Sequence, residues 1–203
     1  MKRLAAVLIA TPLLLTGCVV PYGGATPSAT SSPPPAGAKI YSKLDEPGIK
    51  DIKASKFVLL DMEKGRLTKE SVGLEDGSSQ APDVHTDKPI EIIIEAPYTA
   101  ITARSDRIRL NGMNSGPDFS EVTYFLTAKS LDELSTLIRE GVDRYGIPSD
   151  PAEGWIRDVS AKPDQKSDFA ITPGTSTGVQ VTYDLRYDGS KDTQVIIVHV
   201  NPL

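Results

Sequence analysis

Cysteine is almost absent. Cys18 is the single thiol in 203 residues, so no internal disulfide framework can hold the fold. There is no H-x-x-x-H spacing and no cysteine pair, so the common zinc-ligand patterns are missing. Basic charge is also short. Twenty-two Lys and Arg face 27 Asp and Glu, a net charge of −5, which gives no electrostatic ground for binding nucleic acid. Long apolar runs are lacking, which excludes a multi-span membrane protein. No S-x-x-K motif and no glycine-rich phosphate loop before a helix occur, so penicillin-binding and phosphate-cradling chemistry have no sequence support. With 39% hydrophobic residues the chain is still too apolar for full disorder, and its length suits one domain plus a tail.

What is present begins at the first residues. Lys2 and Arg3 form a short positive region, and Leu4 to Leu15 is apolar apart from Thr11 and Pro12. A stretch this short fits a secretory leader and falls below the roughly 20 residues of a membrane-spanning helix. It ends in Leu15-Thr16-Gly17-Cys18. This tetrapeptide resembles the lipobox of bacterial lipoproteins: a branched apolar residue, two small ones and an obligatory cysteine. The resemblance covers only the leader and Cys18. It implies diacylglycerol on the Cys18 thiol, cleavage just before Cys18, and acylation of the new amino group by a palmitate-type chain. Cys18 is then the lipid attachment site, and the mature protein is held at the extracytoplasmic face of the cell membrane. Two acyl signals give stable anchoring where one gives marginal binding. A thioether at Cys18 would leave no thiol for cysteine catalysis, redox exchange or metal binding. Removing residues 1–17 takes away two basic residues and no acidic one, leaving 20 against 27 and a charge of −7. A chain of that sign gains nothing from anionic lipid, so the anchor alone would hold it there.

Residues 18–39 hold the lipidated cysteine and a linker. Val19 to Lys39 contains five prolines and three glycines among Ser, Thr and Ala, too little apolar material for a core. Such a segment reaches roughly 25 Å as a coil and about 60 Å as polyproline II. Residues 40–203 then read as a single globular domain, long enough for one real core.

Within that domain Phe57 to Met62 reads as a strand with a turn at Lys64-Gly65, and Leu67 to Val72 as its return. Glu75 to Lys88 is polar and reads as a loop. Ile90, Ile92 and Ile94 alternate with Glu91 and Glu95, interrupted by Ile93; Ile108 and Leu110 alternate with arginines, and Val122, Tyr124 and Leu126 with Glu121, Thr123 and Phe125. The spacing then changes. Ser130 and Glu133 form a capping box, Leu131, Leu134, Ile138, Val142 and Tyr145 share one helical face, and Gly146 and Pro148 stop the helix. Asp150 caps a second, shorter helix with Pro151 in its first turn and Trp155, Ile156 and Val159 on its apolar face. Residues 179–187 alternate without fault, Asp188 to Lys191 turns, and Val195 to Val200 returns as a strand apolar on both faces. Period-two alternation with one polar face is the pattern of an antiparallel sheet. The expected fold class is α+β: a mostly antiparallel sheet with a helix pair packed on one face, preceded by a disordered linker.

Candidate chemistry is sparse. Gly174-Thr175-Ser176-Thr177-Gly178 matches G-x-S-x-G, with Asp184, Asp188, Asp192 and then His199 downstream in hydrolase order. A nucleophile elbow needs a strand before the serine and a helix after it, whereas Pro173 precedes this motif and a strand follows. Asp83, His85 and Asp87 offer metal ligands inside what reads as a solvated loop. Asp188 to Asp192 lacks calcium-loop spacing. Arg104, Arg107 and Arg109 form a basic patch able to meet a carboxylate or phosphate, or simply the solvated face of an edge strand. His199 lies in an apolar strand and reads as a packed residue.

These readings assign no catalytic, cofactor or metal residue. They describe an exported, lipid-anchored envelope protein that works as a non-enzymatic binding or interaction module. Its expected partners are the membrane, through the anchor, and an envelope protein or small ligand, with no nucleic acid. Two alternatives stand beside it: a small serine hydrolase using Ser176 and His199, and a structural envelope protein.

Overall fold

The computed structural model describes residues 39–112 and 115–203. The leader, Cys18 and the linker as far as Ala38 lie outside the described residues. From Lys39 onward the described chain forms one compact unit.

The order of elements is α1 (Glu46–Ser55), β1 (Phe57–Asp61), β2 (Asp83–Glu95), β3 (Ile101–Asn111), β4 (Glu121–Thr127), α2 (Leu131–Tyr145), α3 (Ser149–Ala161), β5 (Lys166–Ala170), β6 (Gln180–Asp188) and β7 (Thr193–Asn201). The strands make one seven-stranded sheet in the order β1-β2-β3-β4-β7-β6-β5. β1 and β2 run parallel, and every other neighbouring pair is antiparallel. The α+β architecture read from the sequence is therefore the one observed, with α2 and α3 packed together and α2 lying against β6 and β7.

The alternation explains the packing. In β7, Gln194, Ile196, Val198 and Val200 are buried, and the residues between them are half-buried. Tyr124, Val198 and Tyr183 stand in one cross-strand row, as do Val122, Val200 and Val181. Directly opposed residues share a face, so these rows form the floor on which α2 lies through Leu134, Ile138 and Tyr145. β7 is an inner strand, flanked by β4 and β6.

Local signals set the helix ends. The Ser130 hydroxyl accepts from the Glu133 N–H at 3.1 Å. The Glu133 carboxylate reaches one residue further back than a capping box predicts and accepts from the Lys129 N–H at 2.8 Å. Gly146 ends α2 with φ of 71°, a left-handed conformation that glycine adopts without a Cβ clash.

Several expectations need correction. Residues 67–72 do not return as a strand, because β1 finds its partner in β2 and the segment closes as a short 3-10 turn over Glu70–Val72. Residues 83–88 belong to β2 instead of a loop, their polar side chains alternating with Val84 and Thr86. α3 starts at Ser149 without a side-chain cap, so Asp150 sits in its first turn and not at its N-cap. α1 and β5 carry few apolar residues and gave no periodic signal. Asp45 caps α1 by accepting from the Gly48 N–H at 2.9 Å.

Candidate functional site

The ladder between β3 and β4 is short. It joins Ile108–Asn111 to Glu121–Tyr124 and goes no further, although β3 begins at Ile101 and β4 continues to Thr127. The two strands part at Ser105. This buried serine accepts from the Phe125 N–H at 3.2 Å and the Arg107 N–H at 3.1 Å, and donates to the Arg107 carbonyl at 2.8 Å. It replaces ladder bonds that the parting strands can no longer make. The register of β2 against β3 also shifts between His85 and Ile90, so the divergence is shared by both strands.

A cleft of about 640 Å³ opens where the sheet splits, within the usual range for ligand sites. One wall is the first half of β3 (Thr102, Ala103, Arg104) with Glu91 of β2. The other is α2, through Leu137, Glu140, Arg144 and Tyr145, and Tyr124, Leu126 and Tyr183 complete the lining.

Three tyrosines converge there. Tyr145 and Tyr183 meet edge to face with centroids 6.1 Å apart. The Arg144 guanidinium lies 5.2 Å from the Tyr145 ring centroid. The same guanidinium donates to the Thr102 hydroxyl at 2.6 Å and to the Thr102 carbonyl at 3.1 Å, tying α2 to β3 across the split. Tyr124 is wholly buried, with the Tyr145 hydroxyl as the polar neighbour of its own. Burial pushes the Tyr124, Tyr145 and Tyr183 hydroxyls upward from their ordinary value, so all three are neutral at physiological pH. The lining therefore offers neutral hydroxyls, aromatic edges, two acids and two arginines.

Ser176 and His199 are not brought together. Ser176 sits at the end of α2, where its hydroxyl donates to the Arg144 carbonyl at 3.2 Å and its N–H to the Tyr145 carbonyl at 3.2 Å. His199 lies in the row of Thr123 and Thr182, on the sheet face turned away from Tyr183 and α2. Its Nδ1 is 3.0 Å from a Glu121 carboxylate oxygen. Both glycines of G-x-S-x-G have packing reasons. A Cβ on Gly174 would stand 2.1 Å from the Tyr145 carbonyl oxygen, and Gly178 has φ of +86° beside Pro97. β6 follows the motif, with no helix in that place.

The other candidates disperse along the sheet. Asp83 pairs with Arg107, which holds its carboxyl below the usual range, and Asp87 pairs with Lys56 at 2.7 Å. His85 lies 3.8 Å from Asp106. Asp83, His85 and Asp87 occupy alternate positions of β2, each matched with a different partner, so they do not converge as a ligand set. The three arginines also separate. Arg107 covers the Phe125 ring at 5.1 Å, Arg104 borders the cleft, and Arg109 stands opposite Asp83 and Thr123. β3 pairs with β4 only over Ile108–Asn111, so Arg109 lies between two strands while Arg104 does not, and the three do not share one edge-strand face. At the hairpin, Asp188 accepts from the Ser190 hydroxyl at 2.6 Å, the Ser190 N–H at 3.2 Å and lies 3.5 Å from Lys191, which fits a turn.

Tyr124, Tyr145, Tyr183, Arg144 and Thr102 were not legible as a group. The tyrosines read as ordinary members of apolar faces. The usable signal was that three of them fall on inward positions, where a phenol must find a partner for its hydroxyl. Compared with protein-family models, with curated proteins and with solved structures, the chain matches none.

Proposed function

We propose that this chain is an exported, lipid-anchored protein of a bacterial cell envelope that works as a non-enzymatic binding module, with the cleft beside α2 as its site. The leader and Leu15-Thr16-Gly17-Cys18 support export and anchoring through Cys18. The observation that carries the binding role is the cleft of about 640 Å³ where β3 and β4 part, lined by Tyr145, Tyr183, Leu137, Arg104 and Arg144. An apolar, aromatic seat with a few polar groups placed around it is the usual make-up of a ligand site.

One experiment addresses both parts. Wild-type chain expressed in a bacterium incorporates a fatty-acid label, and Cys18→Ser does not. Equal label on the variant would overturn the anchor. The unlipidated chain, lacking residues 1–17 and carrying Cys18→Ser, is then titrated with p-cresol and N-acetyltyrosinamide while amide and tyrosine-ring NMR signals are followed. Shifts at Tyr145 and Tyr183 that weaken in Leu137→Asn support the site. No shift at these residues with either probe would overturn it.

A further inference from the structure

The first half of β3 presents a strand edge to the cleft. The Glu91 N–H bonds the Lys56 carbonyl on the β1 side, so Glu91 turns its backbone groups away from β3. Arg104 stands opposite Glu91 in the antiparallel ladder, so its own N–H and C=O point away from β2. The Thr102 carbonyl confirms this direction, since it accepts from Arg144 on α2. Residues two apart in a strand aim their backbone groups the same way. β3 has no ladder partner on that side before Ile108, so the Arg104 N–H and C=O face the cleft with no strand beside them. Natural sheets cover or blunt such edges, and α2 reaches this one through the Arg144 contacts to Thr102.

The charges of the lining narrow the ligand. Glu91 and Glu140 balance Arg104 and Arg144, so the walls sum to zero. Neither a phosphate nor a simple cation gains a net field there, whereas a neutral ligand rich in hydrogen-bonding groups does. The Tyr145 and Tyr183 rings and Leu137 supply an apolar seat beside the strand edge.

Building on the binding role assigned above to this cleft, we infer that its ligand is an extended peptide segment of a partner protein, taken up by strand addition to the Arg104 edge of β3. Main-chain N–H and C=O groups of the peptide pair with those of Arg104. Alternate side chains turn toward Tyr145 and Tyr183, where an aromatic or branched apolar residue fits.

The test uses the unlipidated chain lacking residues 1–17 and a pool of acetylated, amidated pentapeptides with Tyr, Phe or Leu at the centre. The expected result is a set of shifts at Thr102–Arg104 together with Tyr145 and Tyr183. N-methylation of the peptide amide that faces β3 weakens binding by about tenfold or more, as does Arg104→Pro, which deletes one backbone donor. Arg104→Ala keeps that donor, and with it the binding, and controls for the loss of the side chain. N-acetyltyrosinamide, too short to form a strand, is expected to bind Arg104→Pro as it binds wild type. Peptides whose N-methylated forms bind equally well would overturn strand addition while leaving the cleft as a site. Silence from pentapeptides and N-acetyltyrosinamide alike would overturn both.

Discussion

β6 and β7 pair without a break over all nine residues of each strand, and β7 continues in register with β4. β3 has 11 residues, of which four pair with β4, and its ladder with β2 is interrupted between His85 and Ile90. The two halves of one sheet thus obey different rules. In the first, strict alternation makes every rung a repeat of the last, so apolar rows align and bury continuously. In the second, Ser105 and the register shift let strands turn away from their neighbours. Regular pairing leaves no room for a ligand. The cleft lies at the seam where the two regimes meet, lined by Tyr124 and Tyr183 from the regular half and Thr102 and Arg104 from the irregular one.

The regular half is tied to α2 by a backbone approach that tolerates no added atom. A Cβ on Gly174 would meet the Tyr145 carbonyl oxygen at 2.1 Å and the Gly146 and Ile147 backbone at 2.6 Å. Gly174 also bonds Val181 in both directions, N–H to carbonyl, at 2.8 and 2.9 Å. Gly174→Ala must therefore move either the end of α2 or the start of β6. A loss of about 3 kcal/mol is expected, at the upper end of overpacking costs. The urea midpoint of the unlipidated chain measures it. A midpoint unchanged from wild type would mean that this half is less rigidly coupled to its helix than the regular ladder implies.

Ser105 is the converse case, a single side chain that holds the irregular half together. Ser105→Ala leaves the Phe125 and Arg107 N–H groups without their hydroxyl acceptor at a buried position. The expected cost is about 2 kcal/mol. Amide exchange separates the halves: the Phe125 amide should exchange faster in the variant, while Tyr183 and Val198 keep wild-type protection. Uniform acceleration across β6 and β7 would erase the distinction between the two halves.

The same contrast explains what could be read from residue order alone. Alternation over residues 179–187, the Ser130–Glu133 box and the Gly146 stop are local, and each marks an element that is observed. Strand order is not local. Nothing in Phe57–Asp61 specifies a parallel partner 34 residues away at Glu91, because pairing depends on which edge remains open after the other strands assemble. β5 escaped notice because its residues are mostly exposed, so no burial pattern was imposed on it. The cleft depends on where a ladder stops. That is decided by one serine hydroxyl and a register shift, neither of which leaves a periodic trace. The G-x-S-x-G match shows the opposite failure: a pattern was legible, but its glycines answer to close approaches of the Tyr145 carbonyl and Pro97 that the motif does not announce.

The smallest effect expected belongs to the face turned away from α2, at the end where the two halves are still in register. Glu121 there accepts from Thr123 at 2.7 Å and from Asn111 at 2.5 Å, with His199 Nδ1 at 3.0 Å and Asn201 at 3.4 Å from its other oxygen. Burial works to raise its carboxyl, but the hydrogen bonds from Thr123 and His199 outweigh burial and leave it lowered from 4.5. A carboxyl with a lower value folded than unfolded favours the folded state when ionised. Its contribution is complete above the unfolded value and fades as pH falls through the folded one. Glu121→Gln keeps an acceptor for Thr123 and removes the charge. The wild-type advantage in urea midpoint should shrink as the solution is acidified below the ordinary carboxylate value. Ser105→Ala should show no such pH dependence in its own deficit, since neither a serine nor its backbone partners titrate. An advantage of Glu121 that stays flat down to pH 3, or grows, would show that this network does not favour the carboxylate. The rung joining the two halves would then rest on its neutral hydrogen bonds alone.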